Sequence, residues 1–283
     1  MPELPEVETI RRQLAPHLEG RTLERVEILD PRWTRPVAPA EVAAQLQGHR
    51  VDHVGRSGKY LVWALDDETF LLAHLRMTGV FLFDPEIEPT HTRVRIDLDG
   101  GHRLIYVDPR RFGTGEVVHG EEARDAFLRA RLGVEPMTRA FTADYLRRTT
   151  RGRTAPIKSF ILDQRRISGV GNIYADEALF RARIHPLRPA GTLRGRQFEA
   201  LRDGIEEALA MGIEFKGATI DDFRHLDGAA GAFQDRFLVH LRGGEPCVRC
   251  GTTIRKLVVG GRGTYVCERC QPRPRVRRRS VVV

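Results

Sequence analysis

The feature that most constrains this chain is its use of cysteine. All four cysteines fall in two pairs, Cys247-x2-Cys250 and Cys267-x2-Cys270. That spacing sets four thiolates around one tetrahedral zinc at the ends of two β-knuckles. Two disulfides are the alternative in an oxidising compartment, and a dithiol redox pair is the other; four ligands so arranged, with no fifth cysteine, favour one structural Zn2+. A ribbon this small has too little core to fold without its metal. Between the pairs, Gly260-Gly261-Arg262-Gly263 has the residues of a hairpin tip that presents Arg262. On spacing alone, Arg262 reads as a solvated arginine.

The ribbon occupies a small part of 283 residues that are 41% hydrophobic, a length that calls for more than one core. No run approaches the roughly 20 uninterrupted apolar residues of a membrane helix, and residues 1–20 carry charges where a signal peptide has its apolar segment. A cytoplasmic location is expected. The formal net charge of +8 and the pI near 9.8 point to a polyanionic partner, and nucleic acid fits better than a membrane surface.

Patterning divides the chain. Pro5 to Leu14 predicts a short amphipathic helix, with proline at its start, Glu6 and Glu8 at the positive end, and Val7, Ile10 and Leu14 on one face. From about Thr22 to Val118, runs such as Tyr60-Leu61-Val62-Trp63, Val80 to Phe83 and Val94 to Leu98 alternate with Gly, Pro and Asp, which predicts a β-sandwich or barrel. After Glu121 the period becomes helical, with helices expected around Phe127, Tyr145, Ile157–Leu162, Ile173–Phe180 and 195–211. Ser168-Gly169-Val170-Gly171-Asn172 reads as a tight turn with Asn172 capping the next helix. The expected class is α+β multidomain. Its parts are a β-sandwich at 1–134, a helical domain at 135–235, a four-cysteine zinc ribbon at 236–272 and a basic disordered tail at 273–283, which is either a plain solvated terminus or a non-specific attraction for DNA.

Lysine occurs only at 59, 158, 216 and 256, so 46 − 4 = 42 of the basic residues are arginine. Arginine stays protonated and cannot act as an amine nucleophile. Schiff-base chemistry is therefore confined to four side chains and the terminal amine. Pro2 follows the initiator methionine, and removal of Met1 exposes a secondary amine. With a reference pKa near 8, about a tenth or more of such an amine is unprotonated at neutral pH. Condensed with an aldehyde carbon, a secondary amine must give an iminium cation, because it has no further proton to lose; that charge is an electron sink. At C1′ of a deoxyribose the sink acidifies C2′–H, so the 3′ phosphate and then the 5′ phosphate can leave. Glu3 stands beside the amine as a possible proton carrier. A disordered start whose glutamates merely suit a helix dipole is the bland alternative.

Further motifs decide between these readings: Pro2-Glu3-Leu4-Pro5-Glu6-Val7-Glu8, Gly58-Lys59-Tyr60 in a strand, Asp108-Pro109-Arg110-Arg111-Phe112-Gly113, Gly169-Val170-Gly171-Asn172-Ile173-Tyr174, and the cysteine ribbon with Arg262. Together, from Pro2 to about Gln271, they resemble formamidopyrimidine-DNA glycosylase. The resemblance implies an N-terminal β-sandwich with an N-terminal helix, a helix–two-turn–helix domain and a C-terminal β-hairpin zinc ribbon. It implies a bifunctional enzyme that excises oxidised purines (8-oxoguanine, formamidopyrimidines) and cuts the abasic strand by β,δ-elimination. The partner is damaged double-stranded DNA, met by a monomer with no membrane association, in a bacterial cytoplasm beside the nucleoid.

By position, the resemblance makes Pro2 the nucleophile, Glu3 the proton donor in base removal, Lys59 the donor for β-elimination and Arg262 the donor for δ-elimination. Met77, Arg110 and Phe112 match the trio that fills the gap left by an everted nucleotide, as an apolar wedge plus a cation for the orphaned base; without the motif, Met77 and Phe112 read as core. Asn172 and the helix behind it are expected on phosphates. Lys158, Arg151 and Arg153 form a basic stretch also expected on the DNA backbone, and the family's basic residue there aligns near Gly152. His91 matches a DNA-contacting histidine, although Thr92-Arg93 departs from a His-x-His pattern. A lesion-covering loop is expected at Lys216–Asp235, with Gly217, Gly228 and Gly231 giving it mobility. The competing readings are an endonuclease VIII-like enzyme for oxidised pyrimidines, which usually begins Pro-Glu-Gly-Pro-Glu, and a zinc-ribbon DNA-binding protein without activity.

Overall fold

A computed structural model describes residues 2–220 and 223–274 of the chain. Two compact units result: Met1–Gly133 with Leu209–Arg236, and Val134–Ala208 with the chain from Phe237 onward. This division differs from the expected one in two places. Residues 209–236, expected to close the helical domain, belong to the first unit, and the ribbon shares the second unit with the helices. Most of the expected basic tail, 275–283, lies outside the described residues, as does Met1. The one tail arginine described, Arg273, pairs with Glu268.

The first unit opens with helix α1 (Leu4–Leu18), which starts with Pro5 in its first turn. It outruns the expected Leu14 because Leu18 extends the buried Val7, Ile10, Leu14 face by one more turn, and Pro16 falls too close to the end to break it. Strand β1 (Leu23–Ile28) follows, then helix α2 (Pro39–Leu46). This helix corrects the all-β reading of the region: it is short, and buries only Val42 and Leu46, one turn apart. The remaining strands are β2 (Val51–Ser57), β3 (Tyr60–Leu65), β4 (Thr69–His74), β5 (Val80–Phe83), β6 (Thr92–Leu98), β7 (His102–Val107) and β8 (Thr114–His119), before helix α3 (Glu121–Arg131).

They form two antiparallel four-stranded sheets in the orders β1-β6-β7-β5 and β2-β3-β4-β8. Val26, Phe81, Ile96 and Tyr106 of the first sheet share one core with Val54, Trp63, Leu71 and α1 of the second, so the expected β-sandwich is present. Strand β4 is buried at all six positions because Leu72 on its other face packs with Tyr60 and Phe127 of α3. That double burial is why Thr69-Phe70-Leu71-Leu72-Ala73-His74 reads as a run rather than an alternation.

In the second unit lie helices α4 (Ala143–Thr150), α5 (Ile157–Leu162) and α6 (Asn172–Arg181), the start of α7 (Gln197–Glu214), and the hairpin of β9 (Arg255–Val259) with β10 (Arg262–Val266). Thr142 caps α4 by accepting the Tyr145 N–H. Eight of the ten residues of α6 are buried, including the charged Asp176 and Glu177. Buried charges need partners, and both carboxylates have several.

Candidate functional site

The start of α1 is buried rather than frayed. Pro2 is buried and Glu3, at the N-cap position, is 2% exposed. Glu6 holds this turn: its Oε2 accepts the Glu3 N–H at 2.8 Å, and its Oε1 accepts the Ala218 N–H at 2.8 Å. The latter bond reaches the loop expected to cover a lesion. The described residues after 222 are docked: the Leu226 N–H donates to Gln13 Oε1, the Phe83 N–H donates to Leu226 O, and Phe223 and Leu226 enter the sandwich core. Of the glycines expected to loosen the loop, Gly217 and Gly231 serve close approach instead, whereas Gly228 takes φ +81° with nothing within 4 Å of its would-be Cβ. A Cβ at Gly217, where φ is +80°, would stand 2.9 Å from Glu6 Cγ, and one at Gly231 would stand 2.3 Å from Gly217 O.

Lys59 is not in a strand, as its sequence neighbours suggested, but in the two-residue turn of the β2–β3 hairpin, whose last pair is Ser57↔Tyr60. Gly58 takes φ +56°, the positive value a tight hairpin turn asks of its first central residue. A chain of hydrogen bonds fixes the tip to α1: Arg56 donates to Gly58 O at 2.8 Å and to Glu8 Oε2 at 3.1 Å, and Glu8 also receives Arg11 and Arg12. Burial pushes the Glu8 carboxyl up, but those guanidinium hydrogen bonds outweigh it and hold it down at about 2. Lys59 itself is 4% exposed, which sets it apart from a solvated surface lysine.

The residues expected to enter DNA lie on three loops of the same unit. Phe112 is 52% exposed with the Arg110 guanidinium 5.0 Å from its ring centroid, Met77 is half-buried and His91 exposed. A core role for Phe112 is therefore ruled out. Each of these segments holds one non-glycine residue at positive φ: Arg76 at 55°, His91 at 68° and Arg111 at 59°.

In the second unit, Arg262 is exposed at the hairpin tip, opposite Val259 across the turn Gly260-Gly261. Both glycines have positive φ, 57° and 75°, as a type I′ turn demands. A Cβ at Gly260 would stand 2.8 Å from Ser159 Oγ, so the tip packs on α5. Asn172 is the first residue of α6, with Gly171 in the cap position. Its side chain does not cap: Nδ2 donates to Gly263 O at 3.0 Å. Arg151 and Arg153 are exposed. Lys158 is the clear correction. It is fully buried, and its ammonium donates to Asp176 Oδ1 at 2.7 Å, Thr264 Oγ1 at 2.8 Å and Gly263 O at 3.1 Å. All three protons are spent inside the protein, so Lys158 holds the hairpin tip rather than a phosphate.

The four cysteine sulfurs lie within 4.8 Å of one another, with Cys250–Cys267 at 3.5 Å and Cys247–Cys270 at 3.9 Å. A tetrahedron with metal–sulfur bonds of about 2.3 Å has edges of about 3.8 Å, so the donor set fits one structural zinc. Burial, and then the neighbouring sulfurs, push the Cys270 thiol up to about 12, whereas hydrogen bonding at Thr252 brings Cys250 down to about 6. A divalent cation relieves that opposition by holding all four as thiolates.

Residue-by-residue reading missed the carboxylates behind these loops. Asp108 is 1% exposed and binds Thr78 and the Gly113 N–H; Glu177 Oε1 accepts the N–H groups of Leu238, Val239 and His240 at 2.9–3.0 Å. Asp108 opens the run Asp108-Pro109-Arg110-Arg111-Phe112-Gly113, and its place before Pro109 at the end of β7 was the available signal. Glu177 had none, since an acidic residue in a helix reads as solvated.

Three family models match the chain. They are the formamidopyrimidine-DNA glycosylase N-terminal domain over residues 1–115, the formamidopyrimidine-DNA glycosylase H2TH domain over 132–224, and the zinc finger found in FPG and IleRS over 244–273. The chain is 46% identical over 277 residues to the formamidopyrimidine-DNA glycosylase of Symbiobacterium thermophilum, covering 97% of this chain and 90% of the relative. It is 45% identical to that of Thermus thermophilus, covering 96% and 98%. Among solved structures, the Lactococcus lactis protein in complex with DNA containing an abasic site superposes with a TM-score of 0.89 at 34% identity, covering 96% of this chain and 100% of that one. The Thermus thermophilus structure gives 0.86 at 43% identity, covering 95% and 98%.

Proposed function

The chain belongs to the formamidopyrimidine-DNA glycosylase family, and from that premise we propose that it excises oxidised purines from duplex DNA through the amine of Pro2 and then cuts the strand. It is a DNA-repair glycosylase with abasic-site lyase activity, acting on damaged DNA and carrying one structural zinc on Cys247, Cys250, Cys267 and Cys270. Its relatives are bacterial, and we place it with the bacterial chromosome in the cytoplasm.

The carrying observation is the ordered, buried start of α1. A nucleophile must be held in one place, and Pro2 is followed at once by a capped helix whose Glu6 carboxylate fixes the Glu3 backbone. After loss of Met1, the Pro2 nitrogen attacks C1′ of the damaged nucleotide as the base departs, and Glu3 supplies the proton that opens the sugar ring. The product is an iminium, because proline has no second N–H to lose. Abstraction of a C2′ proton sends an electron pair into the C2′–C3′ bond and expels the 3′ phosphate. Repetition of that logic at C4′ expels the 5′ phosphate.

Lys59 is assigned to the first elimination, and its ammonium sits on a turn braced by Arg56 and Glu8. Arg262 is assigned to the second. Met77, Arg110 and Phe112 fill the gap in the duplex, while His91, Arg153 and Asn172 contact its backbone. Functionally, the catalytic sandwich at 1–133 carries the lesion-covering loop within 209–236, and the DNA-binding helical segment at 134–208 goes with the ribbon that follows residue 236.

Borohydride added during turnover on an 8-oxoguanine duplex tests the reading. A covalent protein–DNA adduct at Pro2 is expected, with weaker excision by Pro2→Gly, which keeps an amine but loosens it. An adduct mapping to any lysine, or none at all, refutes the Pro2 assignment.

A further inference from the structure

Two DNA-directed loops of the sandwich meet at the buried Asp108 carboxylate, and the third meets the Asp108 backbone. Thr78, beside Met77, donates its hydroxyl to Asp108 Oδ1, and the Gly113 N–H donates to Asp108 Oδ2 at 2.8 Å. Thr78 Oγ1 in turn accepts the Arg110 N–H at 3.3 Å, which closes a ring through Thr78, Asp108 and the loop that bears Arg110 and Phe112. The backbone of Asp108 adds the third segment: its N–H donates to His91 O at 3.1 Å, and its carbonyl accepts Arg93 Nε at 2.9 Å. Asp108 and Thr78 are 1% and 4% exposed, so the bonds to the Asp108 carboxylate lie out of water and are strong.

Two further features show that the segments are built to one another. A Cβ added at Gly79 would come 2.3 Å from the Tyr106 hydroxyl and one at Gly113 1.7 Å, so both loops lie directly on the same phenol. Burial, and then the Asp108 charge beside it, push that phenol well above its ordinary 10, and it stays protonated. Outside the ring, Arg111 donates to Asp30 through Nε at 2.6 Å and Nη2 at 2.8 Å. Arg76, His91 and Arg111 each hold a left-handed backbone that persists only where its surroundings over-determine it. Two of the three are tied to the Asp108 backbone, whose N–H donates to His91 O and whose carbonyl accepts the Arg111 N–H, while the Arg76 N–H donates to His74 Nδ1.

The geometry points to Asp108, with Thr78, as a positioning pair that holds Met77, Arg110 and Phe112 in one arrangement, so that the gap in the duplex is filled and the orphaned base is read as a single act. This rests on the reading of that trio as gap-filling residues. Asp108 touches neither the base nor the sugar; it acts through the loops. An excision step that requires eversion depends on it, whereas processing of a ready-made abasic site, where no base resists eversion, depends on it far less.

Thr78→Val removes the hydroxyl at nearly constant volume, and Asp108→Asn removes the charge. With the full-length, zinc-loaded enzyme, three quantities are measured: single-turnover excision of 8-oxoguanine opposite cytosine and opposite adenine, cleavage of a duplex with a ready-made abasic site, and fluorescence of a 2-aminopurine placed beside the position opposite a tetrahydrofuran abasic analogue. Loss of a hydrogen bond to a buried charge predicts roughly a tenfold slower excision for Thr78→Val. A changed ratio of excision opposite the two bases, a changed 2-aminopurine signal and abasic-site cleavage reduced less than about threefold complete the expected result. Excision, preference and fluorescence that match the parent enzyme overturn the inference, and so does an equal loss on both substrates. Phe112→Ala separates the two readings. If it too leaves excision and fluorescence unchanged, the gap-filling assignment itself fails; if it lowers both while Thr78→Val and Asp108→Asn do not, only the Asp108 role fails. Should Asp108→Asn unfold, the folded Thr78→Val decides alone.

Discussion

Lys158→Met is the most discriminating perturbation of the second unit. Lys158 and Asp176 have no exposed side-chain surface, and their contact is 2.7 Å. Methionine fills a similar volume but strands the Asp176 carboxylate on its two remaining partners, His240 Nδ1 at 2.8 Å and the Tyr265 N–H at 3.3 Å. Removing one member of a buried pair costs about 3–5 kcal/mol, because the charge left behind is neither solvated nor neutralised. At roughly 2–4 °C per kcal/mol for a protein of this size, the unit should unfold roughly 6–20 °C lower. Thermal release of zinc to a chromophoric chelator reads this unit specifically, since the ribbon belongs to it. Lys158→Met/Asp176→Asn removes the stranded charge while keeping polar partners for His240 and Tyr265, so the double variant should recover much of the loss. The tip would also loosen, because Gly263 O keeps only the Asn172 bond. The final elimination should then slow more than base removal. A shift under about 3 °C, or a double variant no better than the single, would show that the pair is not the strut inferred here.

Three other outcomes follow from the same structure. Arg262→Ala should spare base removal and the first elimination while β-product accumulates on a sequencing gel; equal loss of every step would count against its assignment. His74 is held neutral: burial, then the nearby Arg76 and Lys59 cations, lower its pKa from 6.5 to about 3, while its Nδ1 accepts the Arg76 N–H at 3.0 Å. The unfolded chain therefore binds a proton below about pH 6.5 that the folded one refuses until about pH 3, so stability is lost as pH falls through that window. NMR should find the His74 imidazole uncharged down to about pH 5, and a midpoint near 6.5 would contradict the burial argument. Chelation of zinc should unfold the ribbon and abolish excision together, with both restored by Zn2+; a chelated protein that keeps its full activity would show the metal to be dispensable.

What the sequence determined by itself is local or chemical. The cysteine spacing fixes a four-thiolate site because a knuckle is a short-range geometry. Gly260-Gly261 fixes a hairpin tip because only glycine takes those φ values without cost, whereas the turn at Gly58-Lys59 emerged only with the pairing of β2 and β3. The scarcity of lysine and the secondary amine of Pro2 fix what chemistry is available, since neither depends on the fold. Only the tertiary structure decided where charges go. Lys158 and Arg153 look alike in a basic stretch, yet one is buried on Asp176 and the other is exposed, because Asp176 and Gly263 come from elements 18 and 105 residues away. Asp108 gathers loops that begin near positions 77, 91 and 110, and Glu6 reaches Ala218 across 212 residues. The place of residues 209–236 was missed for the same reason, since Ala218 and Leu226 bond to Glu6 and Gln13, whereas α2 was missed because it is short and buries only Val42 and Leu46. A side chain's type states what it can bond, but burial and partner are properties of distant segments that meet only when the chain has folded.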